Sequence, residues 1–507
     1  MTVGQPSPSR RTLLASTAAA AAITVIGGPA RASTSARPVL PPPPHRGNAT
    51  DMGLTQQNAA SMQWYLKARF GMFLHWGGYS GPAQGEWYMY NAGIRPDPYR
   101  ALVTPPGPSA FSPDAYRPVD WAVLAVEAGM RYAVLTTRHH EGLALFPSAH
   151  PDAWSTAQLP GARGYVPGWG HDYVTDFVRA TRELGLRTGL YYSPINWRFP
   201  GYYDWTGTNC LGNPFGYTTS PANRDNARHL KELVYEQVRT LTTGYGDLDL
   251  LWWDGGWMGQ QGTDADGAFF WEPGHYRDPA NAWPVDPRYG QREPYSGRPL
   301  GLMGMVRQNQ PQILATPRSG WIGDYAVEEG GALPTGPVRA QPTEKTFSIG
   351  GTWGYSRGAG VMDYDSVISV LVNSWVRDMN VLLNVGPDGH GTIVAPMADI
   401  LRRVGAFLRQ HGEAVYGTRG GPWNPVDGQV GYTYCGDTVY AHLLPGLPGT
   451  AFTLPYADGA HAAEVRQLAT GRRLDFTVGT DGRVTVTGID RAAVPLDTVL
   501  AVRFTGG

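Results

Sequence analysis

The chain is poor in cysteine. Two residues among 507, Cys210 and Cys435, exclude a scaffold built on disulfides. One long-range bridge and two free thiols are both compatible with the sequence. Charge of one sign is missing as well. Forty-one Lys and Arg meet 42 Asp and Glu, so the net charge is −1 and a nucleic-acid footprint has no support. No HExxH, HxH or Cys-based spacing occurs, which leaves a metal centre without a sequence signature. There is no fixed-period repeat and no heptad pattern. Beyond the first 26 residues no run is long and apolar enough to span a bilayer.

The N-terminus has the pattern of an export signal. Ser9, Arg10, Arg11, Thr12, Leu13 and Leu14 form a twin-arginine motif, followed by an Ala-rich stretch and a small-residue cleavage site at Ala30 and Ala32. Residues 1–32 are therefore expected to be removed and the protein to be secreted. Residues 33–55, with Pro41 to Pro44, read as an unstructured leader.

From 56 to 412 strand-like and helix-like runs alternate. Strands are expected at 69–77, 131–140, 187–193, 248–254 and 379–387. Helices are expected at 119–129, with Asp120 as N-cap, at 172–184, at 225–241, at 364–377 and at 397–412. The 172–184 helix should bury Val174, Phe177, Val178, Thr181 and Leu184. Repeated β/α units with short links predict a parallel, (β/α)8-like barrel. Residues 258–312 break the rhythm and read as an insertion or long loop. After 413 the runs shorten and turns multiply, predicting an antiparallel β-sandwich over 413–507.

Chemistry concentrates where the strands stop. The first strand ends in His75 and Trp76, with Glu86 and Trp87 in the next loop. The second ends in His139, His140 and Glu141, the third in Tyr191, Tyr192 and Ser193. The fourth, LDLLWWDGGW, is apolar and aromatic until it meets Asp254. Strand ends converge on one mouth in a barrel. Alternation along a strand pairs Phe73 with His75, and Trp252 with Asp254. Indole faces beside a carboxylate suit a sugar, because they stack on its apolar faces. Trp121 and Trp375, on apolar helix faces, read instead as core. His75, His139, His140 and Asp254 could also ligate a metal, but adjacent histidines on a strand should point apart, so the reading is metal-free.

At these residues the chain resembles α-L-fucosidases of glycoside hydrolase family 29. FGMFLHWGGYSGPAQGEWY is similar to that family's FGxFxHWGxYSxPxxxEWY block, and AGMRYAVLTTRHHEGLALFPS to its AGAKYxVLTxKHHDGFxLFxS block. GLRTGLYYS, LDLLWWDGGW, TWGYS and NVLLNVGPDGHGTI follow in the family's order, over roughly residues 60–410. The resemblance implies a catalytic barrel followed by a β-sandwich, with hydrolysis of fucosylated glycans through a covalent intermediate and no cofactor. It makes Asp254 the nucleophile. One branch carries a GDYxTPE-like segment ending in the acid/base. Here GDYAVEE places Glu329 in that register, with Glu328 as competitor and Glu344 well behind. The resemblance makes His75, Glu86, Trp87, His139, His140, Tyr191, Trp252 and Arg318 sugar contacts, and Phe73, with Trp353, a wall for the C6 methyl. Two other readings stay open: a silent carbohydrate-binding protein on the same fold, and a metal-dependent barrel hydrolase.

Overall fold

The computed structural model describes residues 59–157, 170–198, 221–254, 302–318, 323–456 and 461–505. The signal, the leader, Cys210 and residues 258–301 lie outside them. Cys435 is exposed at a strand end. Among the described residues no helix is long and apolar enough to cross a membrane.

Eight parallel strands form the first sheet: β1 (Phe70–Leu74), β2 (Tyr132–Arg138), β3 (Arg187–Tyr192), β4 (Leu250–Trp253), β5 (Leu314–Ala315), β6 (Ala326–Glu329), β7 (Thr343–Ser348) and β8 (Met379–Val385). Their order is β5-β4-β3-β2-β1-β8-β7-β6, so consecutive strands pair except β5 with β6, and β8 returns to β1. This is the TIM-like order, with its seam between β5 and β6. Helices α1 (Ala59–Ala68), α2 (Pro118–Glu127), α3 (Tyr173–Glu183), α4 (Pro221–Gly244), α5 (Leu302–Asn309), α6 (Tyr364–Trp375) and α7 (Ala395–His411) accompany them. Among the described residues, the β5–β6 and β6–β7 connections carry no helix. The barrel is therefore less regular than the sequence rhythm suggested.

Local chemistry explains the boundaries. Asp172 caps α3 by accepting the Thr175 backbone N–H at 3.0 Å, and Asp363 caps α6 through Ser366 N–H at 2.8 Å. Asp120 does not cap α2. Pro118 at the first turn starts that helix earlier, leaving Arg117 at the cap and Asp120 within the turn. Leu184 is also not buried with its predicted partners: it follows the end of α3 and is 37% exposed. Residues 302–309, expected within a loop, form α5, which packs on α4 as an ordinary barrel helix.

Outward residues such as Phe70, Met72 and Leu74 join the helices in the main core, with Trp121 and Trp375. Inward residues Phe73, Val134, Tyr191, Trp252 and Leu382 fill the barrel, with Tyr65 of α1 packed against its lower end. Gly71 is required here, because a Cβ would lie 2.5 Å from the Tyr132 ring. The later strands make an antiparallel five-stranded sheet and a three-stranded sheet around a second core of Val439, Leu443, Val465, Leu500 and Val502.

The seam is closed by one side chain. Asp324 N–H donates to Ala315 O at 2.8 Å, and Asp324 Oδ2 accepts from Ala315 N at 2.7 Å and from Arg307 Nη2 at 2.8 Å. Both partners of that ion pair are buried. Asp324→Ala leaves the Arg307 charge buried without its carboxylate, with only the Ile313 carbonyl, among the described residues, to accept from it, so denaturant unfolding should show a loss of about 3–5 kcal/mol.

Candidate active site

The pocket opens at the C-terminal ends of the strands. Phe73, His75, Trp87, His139, His140, Trp252, Asp254, Arg318, Glu329 and Trp353 line it, around about 430 Å³ of free space. Phe73 and Trp252 meet at 5.1 Å between ring centroids, as alternation on β1 and β4 predicts.

Asp254 follows β4 directly. Its Oδ2 accepts from Tyr191 Oη at 2.7 Å, and its Oδ1 lies 3.1 Å from Arg318 Nε and 3.0 Å from Nη2. The third nitrogen of the same guanidinium, Nη1, reaches Glu329 Oε1 at 3.0 Å. One guanidinium thus bridges two carboxyl groups. It stands over the Trp252 ring at 5.1 Å. Burial pushes the Glu329 carboxyl above its ordinary range, the Asp254 charge adds to this, and Arg318 opposes both.

The three imidazoles are held neutral, chiefly by burial. His75 and His140 are lowered to about 4, and His139 falls well below its ordinary value. His75 Nδ1–H donates to Asn384 Oδ1 at 2.7 Å, and the Asn384 amide is fixed by donating to Trp353 O at 2.7 Å. Ser193 Oγ–H donates to His140 Nδ1 at 2.6 Å, directing Nε2 towards Asp254 Oδ2, 3.5 Å away. A neutral imidazole offers one donor and one acceptor, the complement of a hydroxyl.

The two adjacent histidines do not point apart. Strand β2 ends at Arg138, and a turn closed by Gly142 N–H on His139 O, with Gly142 at φ 94°, brings both rings to one side. Their centroids are 4.0 Å apart. His139, His140 and Asp254 offer ligand atoms within 4.8 Å of one another, so the alternation argument against a shared ion fails. Arg318 on the same carboxylate sets a positive charge against any cation there. Glu141, the next residue, turns away and accepts from Tyr99 Oη and Tyr79 N–H.

Two expected sugar contacts stand one layer back. Tyr191 is fully enclosed behind Asp254. Glu86 is buried with Oε2 accepting Gly354 N–H at 2.8 Å, and burial raises its carboxyl. Glu328 is outside the pocket. It alternates with Glu329 on β6 and is held by Arg339 at 2.6 and 3.0 Å.

The sequence matches the family model described as Alpha-L-fucosidase over residues 48–413. The chain belongs to the α-L-fucosidase family. Tissue α-L-fucosidase of Homo sapiens is 26% identical over 461 residues, covering 87% of this chain and 89% of that protein. Alpha-L-fucosidase isoenzyme 1 from Paenibacillus thiaminolyticus is 27% identical, with a TM-score of 0.67 over 88% of this chain and 99% of that one. A GH29 α-L-fucosidase from Bacteroides thetaiotaomicron, trapped as a covalent intermediate with 2-fluoro-fucosyl fluoride, shares the fold. It is 20% identical with a TM-score of 0.70, covering 88% of this chain and 96% of that one.

Within this α-L-fucosidase-family barrel, Glu344 does not line the pocket. It is fully buried on β7 beneath the floor, where it accepts from Trp252 Nε1 at 2.9 Å, Tyr132 Oη at 2.8 Å and Tyr65 Oη at 3.0 Å. Sequence reasoning gave Asn384 no role, although it lies inside the NVLLNVGPDGHGTI block. It also passed over Trp197, which packs on Trp87 at 5.1 Å and His140 at 5.3 Å.

Burial pushes the Glu344 carboxyl from 4.5 up to about 7, against its three donors. A carboxyl with a higher pKa folded than unfolded favours the native state when protonated. That contribution is whole below the unfolded value and is lost as pH rises through the folded one. Unfolding free energy of the wild type should therefore fall relative to Glu344→Gln between about pH 5 and 7, by up to about 3 kcal/mol. Denaturant titrations of both proteins across that range measure it.

Proposed function

We propose that this protein is a retaining exo-α-L-fucosidase, in which Asp254 attacks and Glu329 acts as acid and base. The observation that carries this reading is the single guanidinium held between Asp254 and Glu329 at 3.0 Å from each. The bridge sets two carboxyl groups in one pocket on a shared cation, the pair that a nucleophile and an acid/base require.

Asp254 supplies the anionic oxygen at the anomeric carbon. Glu329 gives its proton to the departing glycosidic oxygen as that bond breaks, leaving a glycosyl ester on Asp254. The Glu329 carboxylate then takes a proton from water. The water oxygen attacks the anomeric carbon, and Asp254 leaves as the carboxylate. Partial exposure of Glu329, 41% of its side chain, gives water and leaving group access to it. Neutral His75, His139 and His140 bind the hydroxyls, while Phe73, Trp252 and Trp353 make the apolar wall. One methyl contributes only about 1–3 kcal/mol of discrimination, so hydroxyl pairing does most of the selecting. The substrate is a fucosylated oligosaccharide or glycoconjugate, and the twin-arginine segment supports export of the folded chain.

Azide rescue tests the assignment of Asp254. Asp254→Gly should lose roughly 10³-fold or more in turnover of an aryl α-L-fucoside. Azide should restore product as the β-fucosyl azide, because it enters from the face the carboxylate left. α-Configured azide from this variant, or full residual activity, would remove Asp254 from the role.

Glu329→Gln should lose about 10²–10⁴-fold on natural glycans. It should lose far less on an aryl fucoside with a good leaving group, which departs without a proton. Equal losses on both substrates would return the choice to another acid.

A further inference from the structure

Where β2 and β3 end, one corner gathers buried donors that the reaction does not use. Arg138, the last residue of β2, is fully enclosed. Its Nη1 donates to Tyr192 Oη and Ser193 O, both at 2.8 Å. Its Nε and Nη2 are buried with no hydrogen-bond partner. Arg198 Nη1 and Asn196 Nδ2 are in the same condition. The Asn196 amide is oriented by its Oδ1, which accepts the Arg198 backbone N–H at 3.1 Å.

Neighbouring contacts tie these residues into one place. The Arg198 and Arg100 guanidinium carbons stand 5.4 and 6.0 Å from the centroid of the Trp154 ring. Trp154 is joined to β2 through a short ribbon, because Ala144 pairs with Arg138 and Leu143 with Trp154. Burial, with the charges of Arg100 and Arg138, lowers Arg198 to about 10, and Asp97 and Asp152 offset this only in part.

All four unpartnered atoms are donors, and three of them carry positive charge. Leaving such groups buried and unmatched is costly. Water accepts hydrogen bonds but brings protons of its own and no charge. An anion answers both needs. We propose that Arg138, Asn196 and Arg198 bind a small monovalent anion of the halide type. The complete enclosure of Arg138 selects for size: a sugar carboxylate or sulfate ester would have to carry its parent chain into the corner. The site buttresses the pocket from behind. Arg138 holds the Ser193 carbonyl, Ser193 Oγ holds His140, and Trp197 N–H donates to His140 O at 2.9 Å.

The test is a titration of the full chain, dialysed into sodium gluconate, with sodium chloride at constant ionic strength. Melting temperature should rise along a saturating curve by roughly 2 °C. Chloride NMR lines should broaden on the protein and sharpen again when bromide competes. Arg198→Gln removes the charge at the less buried edge of the corner, so it should fold and lose both responses. Neither readout uses turnover, so the outcome is independent of the fucosidase reading. A wild type indifferent to chloride, or a response unchanged in Arg198→Gln, would overturn the site and leave the corner to water.

Discussion

The Arg318 guanidinium is the interaction on which the pocket depends. Two carboxylates about 5 Å apart repel by about 3 kcal/mol even at an effective dielectric of ~20. Asp254 is buried, so screening reaches the pair only from the half-exposed side of Glu329. A planar cation with nitrogens on two edges meets that repulsion in one step. Trp252 supports its face, and Glu344 holds the Trp252 indole from below. The charge pair, the aromatic floor and the buried acid beneath it are one stack.

The position of Arg318 follows from how the barrel closes. It lies in the β5–β6 connection, the one place where the ladder between neighbouring strands is interrupted. Asp324 ties that seam through the Ala315 backbone and Arg307. A regular β/α unit would carry a helix there. A connection without one, among the described residues, leaves Arg318 and the end of β6 beside Asp254. Irregularity in the fold and chemistry in the pocket share a cause.

The histidines show how burial sets function without a formal charge. Desolvation keeps all three neutral, and Asn384 and Ser193 set which nitrogen of His75 and of His140 carries the proton. Those two rings are then oriented donors and acceptors rather than cations competing with Arg318. The arginine-rich corner behind His140 extends the same support through Ser193.

The sequence by itself determined β1 to β4 and β8, the convergence of their ends and the place of Asp254 at the end of β4. Apolar runs ended by single polar groups are local signals, and period-two alternation names the inward side chains without a structure. The family blocks added the order of the site. Other features depended on packing. Register with the family segment put Glu329 ahead of Glu328 but rested on no knowledge of which of them faces the pocket. The side was decided by Arg339 outside and Arg318 within. Glu344 looked like a third acid until the barrel interior enclosed it with two tyrosines and an indole. The turn at Gly142 reversed the expectation for His139 and His140, because periodicity stops where the strand stops. Charge and burial at a point are sums over elements distant in the chain, and only the folded barrel brings those elements together.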